Sequence, residues 1–387
     1  MRLPGLCLPI LLALLQNAEA AIGPTVTIRL EQNDSSLAPS ITAFGTNGEL
    51  YAAYRAQGPR HQSSALWLRA FDSKTGRELR RSQIKAPVVE LPQAPSVFQV
   101  SPDGSRLLYA ETPAIVGPNR TMYISVIDAS SLHLISTTDL AVLGLSNPRI
   151  FGFGAESRTI TIGSAEEDSD AHHRPLTKSV RLLEMSTSDL GRIVHDQVIA
   201  NPFEGYGYTV DASGTLWFSK GRPIASALAE YNPKTKALLR EIVFGGDYGL
   251  SRALFLRDGR ILGFTHEASY GATFGRILRF DPEKAEPAHT ERITGCGFKQ
   301  ATASPDQLLA VGICDQQSQA ELTFGALTVC SAIVLQTGTL HVLATIPLST
   351  RTTWHSVAVW HGNGQVRVAT TDESQTVKIY SLAEPLK

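Results

Sequence analysis

Ten histidines, 36 carboxylates and four cysteines give this chain ample material for chemistry, and spacing decides how little of it is assembled. The densest run is Ser164-Ala-Glu-Glu-Asp-Ser-Asp-Ala-His-His-Arg174, where carboxylates and imidazoles crowd together. Carboxylates suit hard cations and imidazole suits Zn²⁺. An EF-hand, however, needs Gly at its sixth and Glu at its twelfth position, and this run has neither. The expectation is an exposed polar loop. A nucleophile elbow of the form Gly-x-Ser-x-Gly is missing, so a serine hydrolase is not indicated.

Cysteine chemistry is more defined. Cys296, Cys314 and Cys330 fall in one hairpin repeat. If that hairpin turns at Pro305, Cys296 and Cys314 stand opposed across two strands, where side chains come within disulfide range. Pairing of Cys314 with Cys330 across the next loop competes, as do three separate buried thiols. No Cys-x-x-Cys spacing occurs, which disfavours a metal site.

The elements that would position these groups are strands. Seven times an apolar strand enters a polar turn and leaves as a second apolar strand. The pivots are Asn47-Gly48, Asp103-Gly104, Glu156-Ser157, Ser213-Gly214, Asp258-Gly259, Pro305-Asp306 and Asn363-Gly364. Their spacing of roughly 45 to 58 residues is close to that of propeller blades. Further turns at Asp72, Asp128, Asn232 and Asp281 each follow an aromatic residue or Ile, which reads as a recurring Asx-turn after the third strand. Glycine–aromatic clusters such as Phe151-Gly-Phe-Gly154 lie in first strands, with no following helix to cradle a phosphate; close backbone packing explains them.

The last repeat has only three strands, Ser356–Trp360, Gln365–Thr370 and Thr376–Leu382. The alternating segment Thr25-Val-Thr-Ile-Arg-Leu-Glu31 supplies the fourth. The fold class is therefore all-β: a seven-bladed β-propeller of four-stranded antiparallel blades, closed by an N-terminal strand in the last blade.

Residues 1–20 read as a signal peptide, with Arg2, an apolar stretch from Leu3 to Leu15, and Ala18-Glu19-Ala20 as the cleavage site. Residues 21–387 then form one domain, exported to a periplasm or secreted, and expected to be a monomer. No later segment is apolar for long enough to span a bilayer as a helix. With 35 basic and 36 acidic residues, no broad field favours nucleic acid. Asn33-Asp-Ser35 and Asn119-Arg-Thr121 are glycosylation sequons.

The repeat pattern and the N-to-C clasp resemble the closure of WD-repeat and related seven-bladed propellers, including exported lactonase-type and surface-layer-type proteins. The Gly-His and Trp-Asp dipeptides of WD repeats are absent. The resemblance implies a ligand site at the channel mouth, where second-strand ends and inter-blade loops meet. His61, Glu111, Tyr248, His266, Glu267, Trp354 and His355 are the candidates there. Aromatic rings interspersed with charge suit a polar small molecule or a protein partner. Lactonases and lyases of this kind place His and carboxylates around a divalent metal. His266, Glu267, Glu111 and His355 are the nearest equivalents by position, without a residue-by-residue match. The reading is a binding scaffold with no catalytic set and no required cofactor; the alternative is a metal-dependent lactonase- or lyase-like enzyme.

Overall fold

Strands alternating apolar and polar residues bury one face against a neighbour only if another sheet is there to meet it. In this chain seven such sheets meet each other in a ring. The computed structural model describes residues 23–30, 40–57, 63–84, 93–113, 122–145, 148–169, 175–203, 208–220, 227–243, 249–316, 329–348, 355–372 and 376–383. Within these ranges positions 212, 233–234, 236, 270–271, 282–283, 285–287, 291–292 and 295 are excepted.

Blade one consists of Ile41–Phe44, Glu49–Gln57, Ser63–Asp72 and Glu78–Ile84, paired in that order. Blade two is Gln93–Val100, Arg106–Pro113, Tyr123–Asp128 and Leu134–Asp139. Blade three is Arg149–Phe153, Thr159–Ser169, Pro175–Ser186 and Asp189–Ala200. Blade four is Tyr208–Val210, Leu216–Lys220, Ala227–Asn232 and Ala237–Val243. Blade five carries Gly249–Phe255, Ile261–Ser269, Ile277–Phe280 and the two-residue Ala288–His289. An added strand, Ala272–Gly275, pairs with the far end of Ile261–Ser269 and with Ile293–Thr294. Blade six is Gly297–Ala303, Leu309–Gln316, Val329–Gln336 and Val342–Pro347.

Blade seven is built from both ends of the chain. His355–Gly362, Gln365–Asp372 and Thr376–Ala383 are completed by Val26–Arg29, antiparallel to Thr376–Ala383 with Ile28 opposite Val377. Thr25 adds a backbone bond to Ile379 at 2.8 Å. Blade one holds the strand from its other side: Tyr54 and Arg69 both donate to the Leu30 carbonyl, at 3.1 and 2.5 Å. The one helical element among the described residues is a 3-10 turn, Leu140–Leu143, capped by Asp139.

Seven apolar clusters fill the ring, one in each seam between consecutive blades. The closing seam, between blades seven and one, packs Ile28, Leu30, Val377 and Ile379 with Leu50, Tyr54 and Trp360. Turns on one rim fasten the seams. Trp360 donates to the Thr46 carbonyl, the Asp103 amide donates to Ser157 Oγ, and Arg257 donates its amide to Gln307 Oε1 at 2.6 Å. His361 Nδ1 lies 2.6 Å from Asp306 Oδ2. At Gly48, with φ +82°, a Cβ would sit 2.9 Å from the Trp360 ring, so both the turn and the seam require glycine there. At Gly152 the backbone, with φ +122°, is what favours glycine, since a Cβ there would meet only the amide end of the Gln99 side chain, which can swing aside. The Asx-turns close as their sequences imply, with Asp72 accepting from Lys74 and Thr75, and Asp128 from Ser131.

One segment departs from expectation. Ser164–Ser169 is strand rather than loop, pairing with Pro175–Arg181 through a bulge at Glu166/Glu167. Acidic residues disfavour strands, but cross-strand pairing of Glu166 with Ser179, Glu167 with Thr177 and Asp168 with Leu176 overrides that preference. Only 170–174 of the acidic run lie outside the described residues, as do residues 1–22 and both sequon asparagines.

Two predictions follow from this architecture. Ile28→Ala, which empties a side chain 7% exposed in the closing seam, should cost ~2–4 kcal/mol in chemical denaturation, whereas Arg29→Ala on the exposed face should cost almost nothing. Deleting residues 24–31 should leave the Thr376–Ala383 edge bare and yield aggregated protein. The second concerns acid. Burial pushes the Asp103 carboxyl up, but bonds from Ser101, Ser105 and Ser157 outweigh it and hold the pKa at about 2, below the usual 3.8. Its stabilising contribution is therefore complete above pH 3.8 and is lost as pH falls through about 2. A stability–pH profile of Asp103→Asn should be flatter than wild type in that window and parallel to it at neutral pH.

Candidate functional site

Second strands run toward the rim that also carries the starts of the first strands, and the residues at these ends surround the channel mouth. In blade one, Tyr51, Ala53 and Arg55 share a face; in blade two, Leu107, Tyr109 and Glu111 do. Tyr51, Ala53, Leu107 and Tyr109 belong to one seam core. Arg55 and Glu111 therefore cap that core at its mouth end, 5% and 1% exposed.

The two form a forked pair: Arg55 Nε donates to Glu111 Oε1 and Nη2 to Oε2, each at 2.5 Å. Tyr109 donates its hydroxyl to the same Oε1 at 2.5 Å. Burial and the neighbouring carboxylate push the Tyr109 phenol well above its usual 10, so it remains a protonated donor. Burial alone would lower the Arg55 pKa, but the Glu111 bonds reverse this and raise it. Desolvating two charges costs several kcal/mol per ion, and a bidentate geometry with a third donor is what offsets it. Both carboxylate oxygens are engaged. Glu111 is thus a fixed half of a neutral pair rather than an available base or metal ligand.

The opposite flank of blade one is polar at the same end without charge. Ser40, Thr42, Ser356 and Thr371 are all buried in the closing seam. Thr371 donates to the Ser40 carbonyl at 2.8 Å, and the Thr42 amide reaches Ser356 Oγ at 3.4 Å. Thr42 Oγ1 is buried with no hydrogen-bond partner. Tyr109 and these hydroxyls are not among the residues the sequence singles out. Tyr109 was recoverable, since a residue two before Glu111 on a strand shares its face; the hydroxyls carry no sequence signal.

Of the other mouth candidates, His266 and Glu267 lie on the second strand of blade five, opposite Gly249 and Phe274. His355 opens blade seven opposite Asp372. His61, Tyr248 and Trp354 lie outside the described residues. Among the described residues no group of three His, Cys, Asp or Glu side chains could hold a metal ion. Glu166, from the acidic run, is exposed and accepts from Ser179.

Cys296 and Cys314 are joined in a disulfide, their Cα atoms 5.1 Å apart. They are not directly opposed: a bulge at Lys299 sets Phe298 opposite Cys314, so Cys296 approaches on the diagonal. Cys330 cannot compete for Cys314. It stands opposite Asp315, one residue along, and its side chain enters the seam on the other face of the blade. On the rim away from the mouth, a cleft of about 600 Å³ opens between blades three and four, lined by Thr161, Glu184, Arg192, Val194 and Gly214.

The sequence matches no protein-family model and no curated protein. Solved structures similar in fold include a chain of the mitotic checkpoint complex, at TM-score 0.52 and 10% identity, covering 99% of this chain and 97% of that one. The C-terminal WD40 domain of Sif2 aligns at TM-score 0.50 and 9% identity over 94% of this chain and 98% of its own. Hydrazine synthase of Kuenenia stuttgartiensis aligns at 0.51 and 12%, over 92% and 99%. At such identities the likeness speaks for the fold alone, a β-propeller. Among the described residues no helix is long and apolar enough to cross a membrane.

The ion pair makes a quantitative prediction. Glu111→Gln should leave Arg55 buried without its counter-charge and lower stability by ~3–5 kcal/mol. The Arg55→Met/Glu111→Gln double variant should recover part of that loss, and a double-mutant cycle by urea denaturation reads the coupling directly.

Proposed function

We propose that the protein is an exported binding scaffold that recognises a protein or a polar ligand at its channel-mouth face. The observation that carries this reading is the state of Glu111. The mouth candidate whose side chain is described is locked by Arg55 and Tyr109, building the wall of a site rather than performing chemistry in it. A rigid ring presenting loops on one rim suits recognition, because ordered strands hold the loop bases while the loop residues vary. The similar chain from the mitotic checkpoint complex belongs to a multiprotein assembly, as its name says. Hydrazine synthase bears an enzyme's name on the same fold, so architecture alone does not separate the two classes.

Export rests on the segment ending Ala18-Glu19-Ala20 and is read by N-terminal sequencing of the mature protein, expected to begin at Ala21. Binding is tested with photo-crosslinking residues placed at His61, Tyr248 and Trp354, and as controls at Asn47 and Asp258 on the opposite rim. One product common to the mouth positions and missing from the controls is expected. Equal yields from both rims would overturn the mouth assignment. Stoichiometric divalent metal in the purified protein, lost in Glu267→Ala, would favour the enzyme instead.

A further inference from the structure

The outermost strands of propeller blades are sheet edges, and six of the seven here are short: 4, 7, 6, 7, 2 and 6 residues. Blade three breaks this pattern. Its outer strand, Asp189–Ala200, runs for 12 residues and, among the described residues, pairs only with Pro175–Ser186 on its inner side. Ser136 of blade two takes the Leu190 amide and Asp189 the Gly191 amide, so the open edge begins at Arg192. Natural sheets usually blunt such edges with brevity, proline, charge or bulges; this stretch is long and lacks proline and lysine, carries Arg192 and Asp196 as its charges, and bulges between Asp189 and His195 before pairing regularly to Ala200.

Aliphatic side chains flank the edge on both sides. Ile193 stands opposite Met185, whose side chain packs toward blade two. Val198, 65% exposed, stands opposite Arg181, whose guanidinium reaches the Leu143 carbonyl beside Val142, itself 75% exposed. Val194, 53% exposed, lies on the other side, in the cleft shared with blade four. Leu134 and Ile135 of the neighbouring outer strand extend the apolar surface.

We infer that the edge of blade three is a second interaction surface, which takes an extended segment of a partner protein as an added strand. Two features select this occupant. Apolar groups straddling an edge match a strand, whose alternate side chains fall on opposite sides, and do not match one flat face. The six residues, 38–75% exposed, leave an apolar area on the order of a monomer's largest patch, about 300–600 Å², divided between the two sides of the edge. That area falls short of the about 800 Å² per partner that a stable dimer of folded copies needs. A short segment also completes its affinity through main-chain bonds to the bare edge, which a second convex ring reaches less well. The surface is independent of the channel mouth.

The test pans a displayed library of random twelve-residue peptides on the full-length protein, with the Val194→Lys/Val198→Lys variant as the counter-target. Enriched peptides should alternate aliphatic and polar residues. As synthetic peptides they should slow amide exchange between Arg192 and Val198 and bind roughly tenfold or more weakly to the lysine variant. A Val194→Thr/Val198→Thr variant, which keeps the β-branching, should show an intermediate loss. Binding should be unchanged in His266→Ala, so failure here and failure of the mouth reading are distinguishable. Enriched peptides indifferent to the lysines would overturn the inference. So would no enrichment, or self-association of the wild-type protein that protects the same amides.

Discussion

No blade of this protein can bury both of its faces alone, and everything else in the structure depends on that constraint. Each four-stranded sheet presents apolar side chains to two neighbours, so a blade is stable only as part of a closed circle. The seven seam clusters are the physical expression of this, and none is optional. The closing seam differs from the rest because chain connectivity does not bring its blades together. There, a strand of four residues from the N-terminal side pairs with Thr376–Ala383, and Tyr54 and Arg69 of blade one grip the residue that follows it. Joining sequence-distant strands costs loop entropy, which closure of the final seam offsets by burying apolar surface on both sides.

A ring closed this way can be rigid while its loops remain free to diversify. Rigidity is reinforced on one rim, where turn residues reach into the next blade: Asp103 to Ser157, Arg257 to Gln307, Asp306 to His361 and Trp360 to Thr46. Polar groups on that rim are committed to neighbours. The mouth rim is organised differently. The two seams that flank blade one end there in polar groups that lie inside the wall, ionic beside blade two and hydroxylic beside blade seven.

Much of this architecture was legible because it rests on local rules. Five of the seven hairpin pivots were visible as Asn-Gly, Asp-Gly or Ser-Gly pairs, and the Asx-turns as Asp or Asn after an apolar residue, since the turn chemistry is written in adjacent residues. The missing fourth strand was legible by counting. What the sequence hid was non-local. The acidic Ser164–Ser169 stretch resembles a loop by composition, and becomes strand only because Pro175–Arg181 pairs with it. The role of Glu111 was invisible for the same reason: a carboxylate at a strand end looks available until an arginine from the next blade, 56 residues away, is found beside it. The bulge at Lys299, which sets how Cys296 meets Cys314, also leaves no mark in composition.

The Arg55–Glu111 pair shows how the seam constraint shapes the candidate site. A seam must end somewhere, and at the mouth its last residues face loops and solvent rather than another apolar layer. An aliphatic pair at that position would pack as well but would leave the Tyr109 hydroxyl, already inside the seam, with no acceptor. Glu111 accepts that bond, and Arg55 then neutralises Glu111 with two more. Each polar group is explained by the one beneath it, and the chain of requirements begins at a tyrosine that fills the core between the first two blades. Mutually dependent groups of this kind hold a single geometry at the mouth end of the seam.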